Sequence, residues 1–154
     1  MSITINTTIN GKAVSANAEP SMSLLEFLRD TLEYKGTKLC CNTGECGACT
    51  VIYNGKPINS CVTLAADANG AEITTIEGLA DGDKLHPVQQ AFIDTGAVQC
   101  GYCTPGFIMS VKALLDRTKK PTQSDIEEAV SGNICRCTGY AKIVDAIQLA
   151  AQKL

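Results

Sequence analysis

At the start of the chain, apolar and polar side chains alternate. Ile3, Ile5 and Ile9 stand among threonines and asparagines, which is the period of a half-buried strand. Asn10-Gly11 supplies a hairpin turn, and Lys12–Ala16 reads as the returning strand. The pattern changes at Ser23-Leu24-Leu25-Glu26, which has the form of a capping box opening a helix. Leu24, Leu25, Leu28 and Leu32 then fall on one helical face. From Tyr34 to Cys49 the period vanishes and glycines enter. Thr50–Tyr53 and Lys56–Ile58, joined by Asn54-Gly55, predict a second hairpin, and Glu72–Ile76 predicts a last short strand.

The remainder carries helical spacing throughout. Leu85-His86-Pro87 predicts a helix start, with the helix running to about Asp94. Thr104-Pro105 fits an N-cap followed by a first-turn proline, and Ile108, Val111, Leu114 and Leu115 follow on one face. Pro121 marks a break, after which Thr122 or Ser124 caps a short helix through Val130. From Tyr140 to Leu154, Ile143, Val144, Ile147 and Ala150 share a face. The expectation is an α+β chain of two units, a β-rich domain over 1–78 and an all-α domain over 79–154. Their boundary lies near the GLADGDK stretch at Gly78–Lys84. No internal repeat or low-complexity tract is present.

The chain has 154 residues, 45% of them hydrophobic, with no Trp and only seven Phe and Tyr together. Its core must therefore be mostly aliphatic. A unit of about 75 residues is marginal on burial alone and usually needs a staple. The net charge of −3 and pI near 5.1 do not suggest nucleic acid or an anionic membrane as partner. Nothing approaches the ~20 apolar residues that span a bilayer. MSITINTTING carries neither an export signal nor a twin arginine, so the expected location is cytoplasmic, among reduced thiols. The nine cysteines are odd in number. That argues against a disulfide framework and for metal ligation.

The first set is Lys38-Leu-Cys-Cys-Asn-Thr-Gly-Glu-Cys-Gly-Ala-Cys49, with Cys61 beyond. Counted from Cys41, the spacing is C-x4-C-x2-C, then eleven residues, then the fourth cysteine. This is the plant-type spacing for one 2Fe-2S cluster. Cys41, Cys46 and Cys49 wrap one side of a compact anionic group. Gly44 and Gly47 let backbone N–H groups approach the sulfurs, and Cys61 closes the cage. Structural zinc, usually built from C-x2-4-C pairs, fits this pattern poorly. Cys40 is left over. Were it the ligand in place of Cys41, the gap would become x5, so the expectation for Cys40 is a free, mostly buried thiol.

The second set is Gln99-Cys100-Gly-Tyr-Cys103-Thr-Pro-Gly106 with Gly132-Asn-Ile-Cys135-Arg-Cys137-Thr-Gly139. C-x2-C and C-x-C stand thirty-one residues apart, each just ahead of a predicted helix. Helix N-termini suit a group of net negative charge. A redox dithiol shares C-x-x-C but calls for a βαβ setting that is missing here, and zinc is the other competitor. No residue has the setting of a base or nucleophile, so the catalytic set is empty. His86, the single histidine, reads as a capping or packing residue beside Pro87.

These residues resemble a known family. Lys38–Val51 with Asn59-Ser60-Cys61 is similar to the first-cluster segment of the molybdenum hydroxylase (xanthine oxidase) family. QCGYCTPG at 99–106 and GNICRCTGY at 132–140 are similar to its second-cluster segments, and GTK at 36–38 and TTIEGL at 74–79 fit as well. The resemblance covers nearly the whole chain, with both motifs in order. It departs at Cys40, where the family usually has glycine.

The resemblance implies a plant-ferredoxin-like β-grasp domain followed by a four-helix-bundle domain, each holding one 2Fe-2S cluster. It implies ligands Cys41, Cys46, Cys49 and Cys61 for the first cluster and Cys100, Cys103, Cys135 and Cys137 for the second. It implies an iron–sulfur subunit of a multi-subunit oxidoreductase, with a large molybdopterin subunit and an FAD subunit as partners. The substrate hydroxylation, with water as oxygen source, belongs to the large subunit. The family order of electron passage is molybdenum, helical-domain cluster, ferredoxin-like cluster, FAD. Gln99 and Cys137 are then expected against the pterin. Two other readings compete: a free-standing ferredoxin-like carrier and a zinc-stapled binding module.

Overall fold

The computed structural model describes residues 2–154. Strand β1 (Ile3–Ile9) turns at Asn10-Gly11, both in the left-handed region, into β2 (Lys12–Ala18). The hairpin thus runs two residues past the expected end. A third strand, β3 (Thr50–Tyr53), pairs antiparallel with β4 (Lys56–Asn59), and β5 (Glu72–Thr74) completes a five-stranded sheet of order β2-β1-β5-β3-β4. β5 lies parallel to β1 and antiparallel to β3. It ends at Thr74, short of the expected Ile76, because the chain coils into a single tight turn over Ile76–Gly78.

The leucine stripe after Ser23 does form a helix, but an unusual one. The capping box is present: Ser23 Oγ accepts the Glu26 N–H at 3.2 Å and Glu26 Oε2 accepts the Ser23 N–H at 2.9 Å. After one α turn, α1 (Leu24–Glu26), the chain widens into a π turn over Phe27–Thr31. Leu24, Leu25, Phe27 and Leu28 are buried. Most of them join Ile5, Ile9, Val51 and Ile73 in the sheet core, whereas Leu25 packs with Cys49 and Cys61 in a separate small cluster.

Four helices follow: α2 (Pro87–Asp94), α3 (Thr104–Arg117), α4 (Gln123–Val130) and α5 (Ala141–Lys153). His86 caps α2, its Nδ1 accepting the Val88 N–H at 3.2 Å, and Thr122 caps α4, as their positions beside proline predict. A second core of Val88, Phe92, Phe107, Val111, Leu115, Ile126, Ile143 and Ile147 lies between these helices. Helix α3 also packs on β3, which brings the two halves together. Among the described residues no helix is long and apolar enough to cross a membrane.

Candidate metal centres

The first cysteine loop is prepared from behind by the π turn. It points Arg29 at the segment leading into the loop, where Nη1 donates to the carbonyls of Lys35 (2.9 Å) and Thr37 (2.5 Å). From the other side, Glu77 Oε1 accepts the Gly36 N–H at 2.6 Å. The loop then turns through Asn42 (φ 58°), Gly44 (φ 81°) and Gly47 (φ 67°). At Gly47 a side chain is excluded as well, since a Cβ would stand 2.3 Å from the Gly132 carbonyl oxygen.

The loop gathers Cys41, Cys46, Cys49 and Cys61, with Cys49 against Cys61 and Cys46 beside both Cys41 and Cys40. Cys41 Sγ accepts the N–H groups of Thr43 and Cys46, both at 3.4 Å. With the Thr43 hydroxyl, these donors hold the Cys41 thiol down at about 5. Cys61 lies against Cys49, and burial with that contact pushes it up to about 12. Ser60, between β4 and Cys61, is fully buried and donates to the Cys49 carbonyl at 2.7 Å. Asn59 Nδ2 donates to the Gly44 carbonyl at 2.6 Å. The β3–β4 hairpin therefore delivers Cys61 to the loop.

Cys40 is exposed, contrary to the expected burial. The turn that aims Cys41 inward sends its neighbour outward, and the Cys40 thiol shares a hydrogen bond with that of Cys46, which raises it.

The second set converges from two loops at helix ends. Cys103 is the N-cap of α3, and Cys135 and Cys137 lie just ahead of α5. Here the thiols meet in pairs, each drawn from both loops. Cys137 Sγ stands 3.6 Å from Cys100 Sγ, and Cys103 bonds to Cys135. Burial, then the Cys135 contact, pushes Cys103 up to about 12. Burial also acts to raise Cys135. Thr138 (hydroxyl 3.1 Å, N–H 3.4 Å) and the Cys137 N–H outweigh it and lower this thiol to about 7. Tyr140, at φ 70°, turns back so that its hydroxyl accepts the Cys135 N–H at 3.0 Å, with its ring edge-on to Phe107. Gln99, Cys100 and Cys137 are exposed at the mouth of this site.

Two donor chemistries use four cysteines. A zinc ion takes four sulfurs about 2.3 Å from one point. A 2Fe-2S cluster takes four cysteines, two on each iron, so paired thiols fit it. The N–H and hydroxyl donors already aimed at Cys41 and Cys135 are the kind that a ligated sulfur accepts.

Polar groups that sequence patterns did not single out tie the two sites together. The Ile134 N–H, next to Cys135, donates to the Cys46 carbonyl at 2.9 Å. Buried Asn133 donates through Nδ2 to the Gly47 carbonyl at 3.0 Å and accepts from Ser110 Oγ at 2.7 Å. The Tyr102 hydroxyl donates to the Leu39 carbonyl. These partners are far apart along the chain, 86 residues for Asn133 and Gly47. Only the motif context of Asn133 and Tyr102 hinted at a role.

The chain is similar to known iron–sulfur proteins. Residues 7–95 match the family model described as a 2Fe-2S iron-sulfur cluster binding domain, and residues 75–148 match that of a 2Fe-2S binding domain. The nicotinate dehydrogenase small FeS subunit of Eubacterium barkeri is 50% identical over 151 residues, covering 98% of this chain and 96% of that protein. The xanthine dehydrogenase iron-sulfur-binding subunit of Escherichia coli O157:H7 is 50% identical over 147 residues, covering 94% and 92%. A chain of quinoline 2-oxidoreductase from Pseudomonas putida 86 superposes with a TM-score of 0.95 at 42% identity, covering 98% of this chain and 94% of that one.

Proposed function

We propose a function that starts from one fact: the chain belongs to the small iron–sulfur subunits of the molybdenum hydroxylase (xanthine oxidase) family. It is the electron-transfer subunit of a multi-subunit oxidoreductase, and it works beside larger partner subunits. When bound, each 2Fe-2S cluster supplies a one-electron step.

The finer assignments are our reading. The chain divides into a ferredoxin-like β-grasp domain over 1–78 and a four-helix-bundle domain over 79–154. The sheet order and the two separate cores support that division. Cys41, Cys46, Cys49 and Cys61 hold the first cluster, and Cys100, Cys103, Cys135 and Cys137 hold the second. The gathering of the thiols supports both sets. The second site faces the molybdopterin of the large subunit, which Gln99 and Cys137 touch, and the first site serves FAD on another subunit. The exposed apolar residues Val98, Tyr102, Ile134 and Tyr140 around Gln99, Cys100 and Cys137 support docking at that mouth. The complex is cytoplasmic. The substrate is chosen on the large subunit, so no residue here selects it.

The single observation that carries this reading is the gathering of eight thiols into two four-thiol sites. Native purification followed by metal and sulfide analysis tests it. About four irons and four labile sulfides per chain are expected, in a complex with a molybdopterin subunit. About two zinc ions without sulfide would overturn the cluster assignment. A small protein that purifies alone and works as a soluble carrier would replace the subunit role with that of a free ferredoxin.

A further inference from the structure

Among the described residues, Thr37 Oγ1 is the one buried side-chain polar atom without a hydrogen-bond partner. Buried hydroxyls are almost always satisfied, and an orphan calls for a missing acceptor. Thr37 is only 2% exposed, so bulk water does not serve it. Nor can its backbone shift to find a protein acceptor. Arg29 grips the carbonyls on Lys35 and Thr37 itself, and Glu77 holds the Gly36 N–H. Gly36 is wedged so tightly that a Cβ there would stand 2.4 Å from Ile76 Cγ2. On its other side, the Lys38 N–H donates to the Ala48 carbonyl at 3.3 Å, which places the segment beside Cys49. Thr37 is therefore fixed between the approach to Cys41 and the stretch that carries Cys49, with a donor to spare.

We propose that Thr37 Oγ1 donates a hydrogen bond to an inorganic sulfide of the first cluster, since no cysteine sulfur of the chain accepts from it. This rests on the assignment of Cys41, Cys46, Cys49 and Cys61 as that cluster's ligands. An anionic sulfur is the acceptor the protein atoms alone do not provide, and other donors of the same loop already point at sulfur, on Cys41. A donor on a cluster sulfur favours the reduced state, which carries one more negative charge. Hydrogen bonding to sulfur is a recognised lever on cluster potential.

Thr37→Val keeps the shape and removes the hydroxyl, and Thr37→Ser keeps the hydroxyl. In the cluster-loaded full chain, redox titration of each cluster's electron paramagnetic resonance signal reads the potentials, and a thermal scan reads stability. Thr37→Val lowers the equilibrium constant for reducing the first cluster about tenfold, a shift of about 59 mV for a one-electron couple. Thr37→Ser stays at the wild-type value, and the second cluster does not move. Thr37→Ala, free of any overpacking, carries the same expectation as Val. An unchanged potential in Val and Ala, with a higher thermal midpoint in Val, overturns the proposal. That result marks a merely orphaned hydroxyl whose removal relieves the fold. Wild-type chain with about two irons and no first-cluster signal overturns the ligand assignment and this proposal together, an outcome distinct from intact signals at an unshifted potential.

Discussion

Gly106→Ala is expected to destabilise the chain even though it replaces glycine inside a helix. Residue 106 lies in the first turns of α3, where alanine normally gains about 1 kcal/mol over glycine. Here the helix meets the first cysteine loop directly. A Cβ on residue 106 would stand 2.1 Å from the Gly47 carbonyl oxygen, 3.0 Å from its carbon and 3.1 Å from Ala48 Cα. All three are backbone atoms, so no side chain can swing away, and the two backbones must part by almost an ångström. The Gly47 carbonyl is also held by Thr50 N–H at 3.2 Å, Thr50 Oγ1 at 2.7 Å and Asn133 Nδ2 at 3.0 Å.

Overpacking against an unyielding neighbour costs about 1–3 kcal/mol. Loosening two of these hydrogen bonds adds about 1 kcal/mol each. After the helix gain, the net loss is about 2–4 kcal/mol. For a chain of this length that lowers the apparent thermal midpoint by about 5–15 °C. The midpoint has to be compared at one scan rate, because cluster loss makes unfolding irreversible. Gly132→Ala is the control: nothing lies within 4 Å of its Cβ position and its φ is not positive, so its change stays within about 0.5 kcal/mol. If the two variants melt together, the contact between α3 and the first loop is not a fixed part of the fold, and the reasoning fails.

Other consequences are simpler to check. Cys41→Ser is expected to abolish or badly perturb the first cluster's paramagnetic signal, whereas Cys40→Ser leaves it nearly unchanged; the reverse outcome would move the ligand register by one residue. Gln99→Ala is expected to keep the iron content and to slow reduction of the clusters by substrate in the assembled enzyme, so a loss of iron in that variant would refute its placement. In the iron-free chain, the Cys41 thiol lies below its ordinary value of 9.0, at about 5, chiefly through the Thr43 hydroxyl. A depressed thiol favours the folded form fully above pH 9 and loses that contribution as the pH falls through about 5. Alkylation of Cys41 by iodoacetamide is expected to follow the same thiolate titration, with its midpoint rising in Thr43→Val.

The sequence patterns located most of the elements and the two cysteine groups because those signals are local. C-x4-C-x2-C and C-x-C are each complete within one loop, and His86 and Thr122 announce their helices beside a proline. What escaped was set by distant contacts or by backbone turns. The leucine period predicts a plain helix after Ser23, but a stripe of 3.6 residues does not reveal that the chain widens at Phe27, with Leu32 N–H on the Phe27 carbonyl and Tyr34 N–H on that of Leu28. That widening is what aims Arg29 at the first loop. Cys40 was expected inside because free cysteines usually are. The left-handed turn at Asn42 and Gly44 reverses that preference by giving the inward position to Cys41. Asn133 and Gly47 meet across the whole second half of the chain, a pairing no window of sequence contains.

The cysteines also answer how two small cores coexist in 154 residues. Cys49 and Cys61 form a core cluster of their own with Leu25, and Cys135 belongs to the helical core. On the proposed ligand sets, these sulfurs are core contacts as well as donors, so holding the clusters and holding the fold are one task. Small units of this size are marginal without a staple, and metal binding is linked to folding wherever the ligands are also core. The linkage includes protons. Burial pushes Cys61 and Cys103 up to about 12, so at neutral pH both are protonated until iron displaces the proton. Each must become a thiolate to ligate. On the proposed ligand sets, loading the two sites releases those two protons. Cys41 and Cys135, held at about 5 and about 7 by hydrogen bonds, are the thiols in each set nearest to being ready ligands at neutral pH. Each site thus pairs a thiol lowered by hydrogen bonds with one raised by burial.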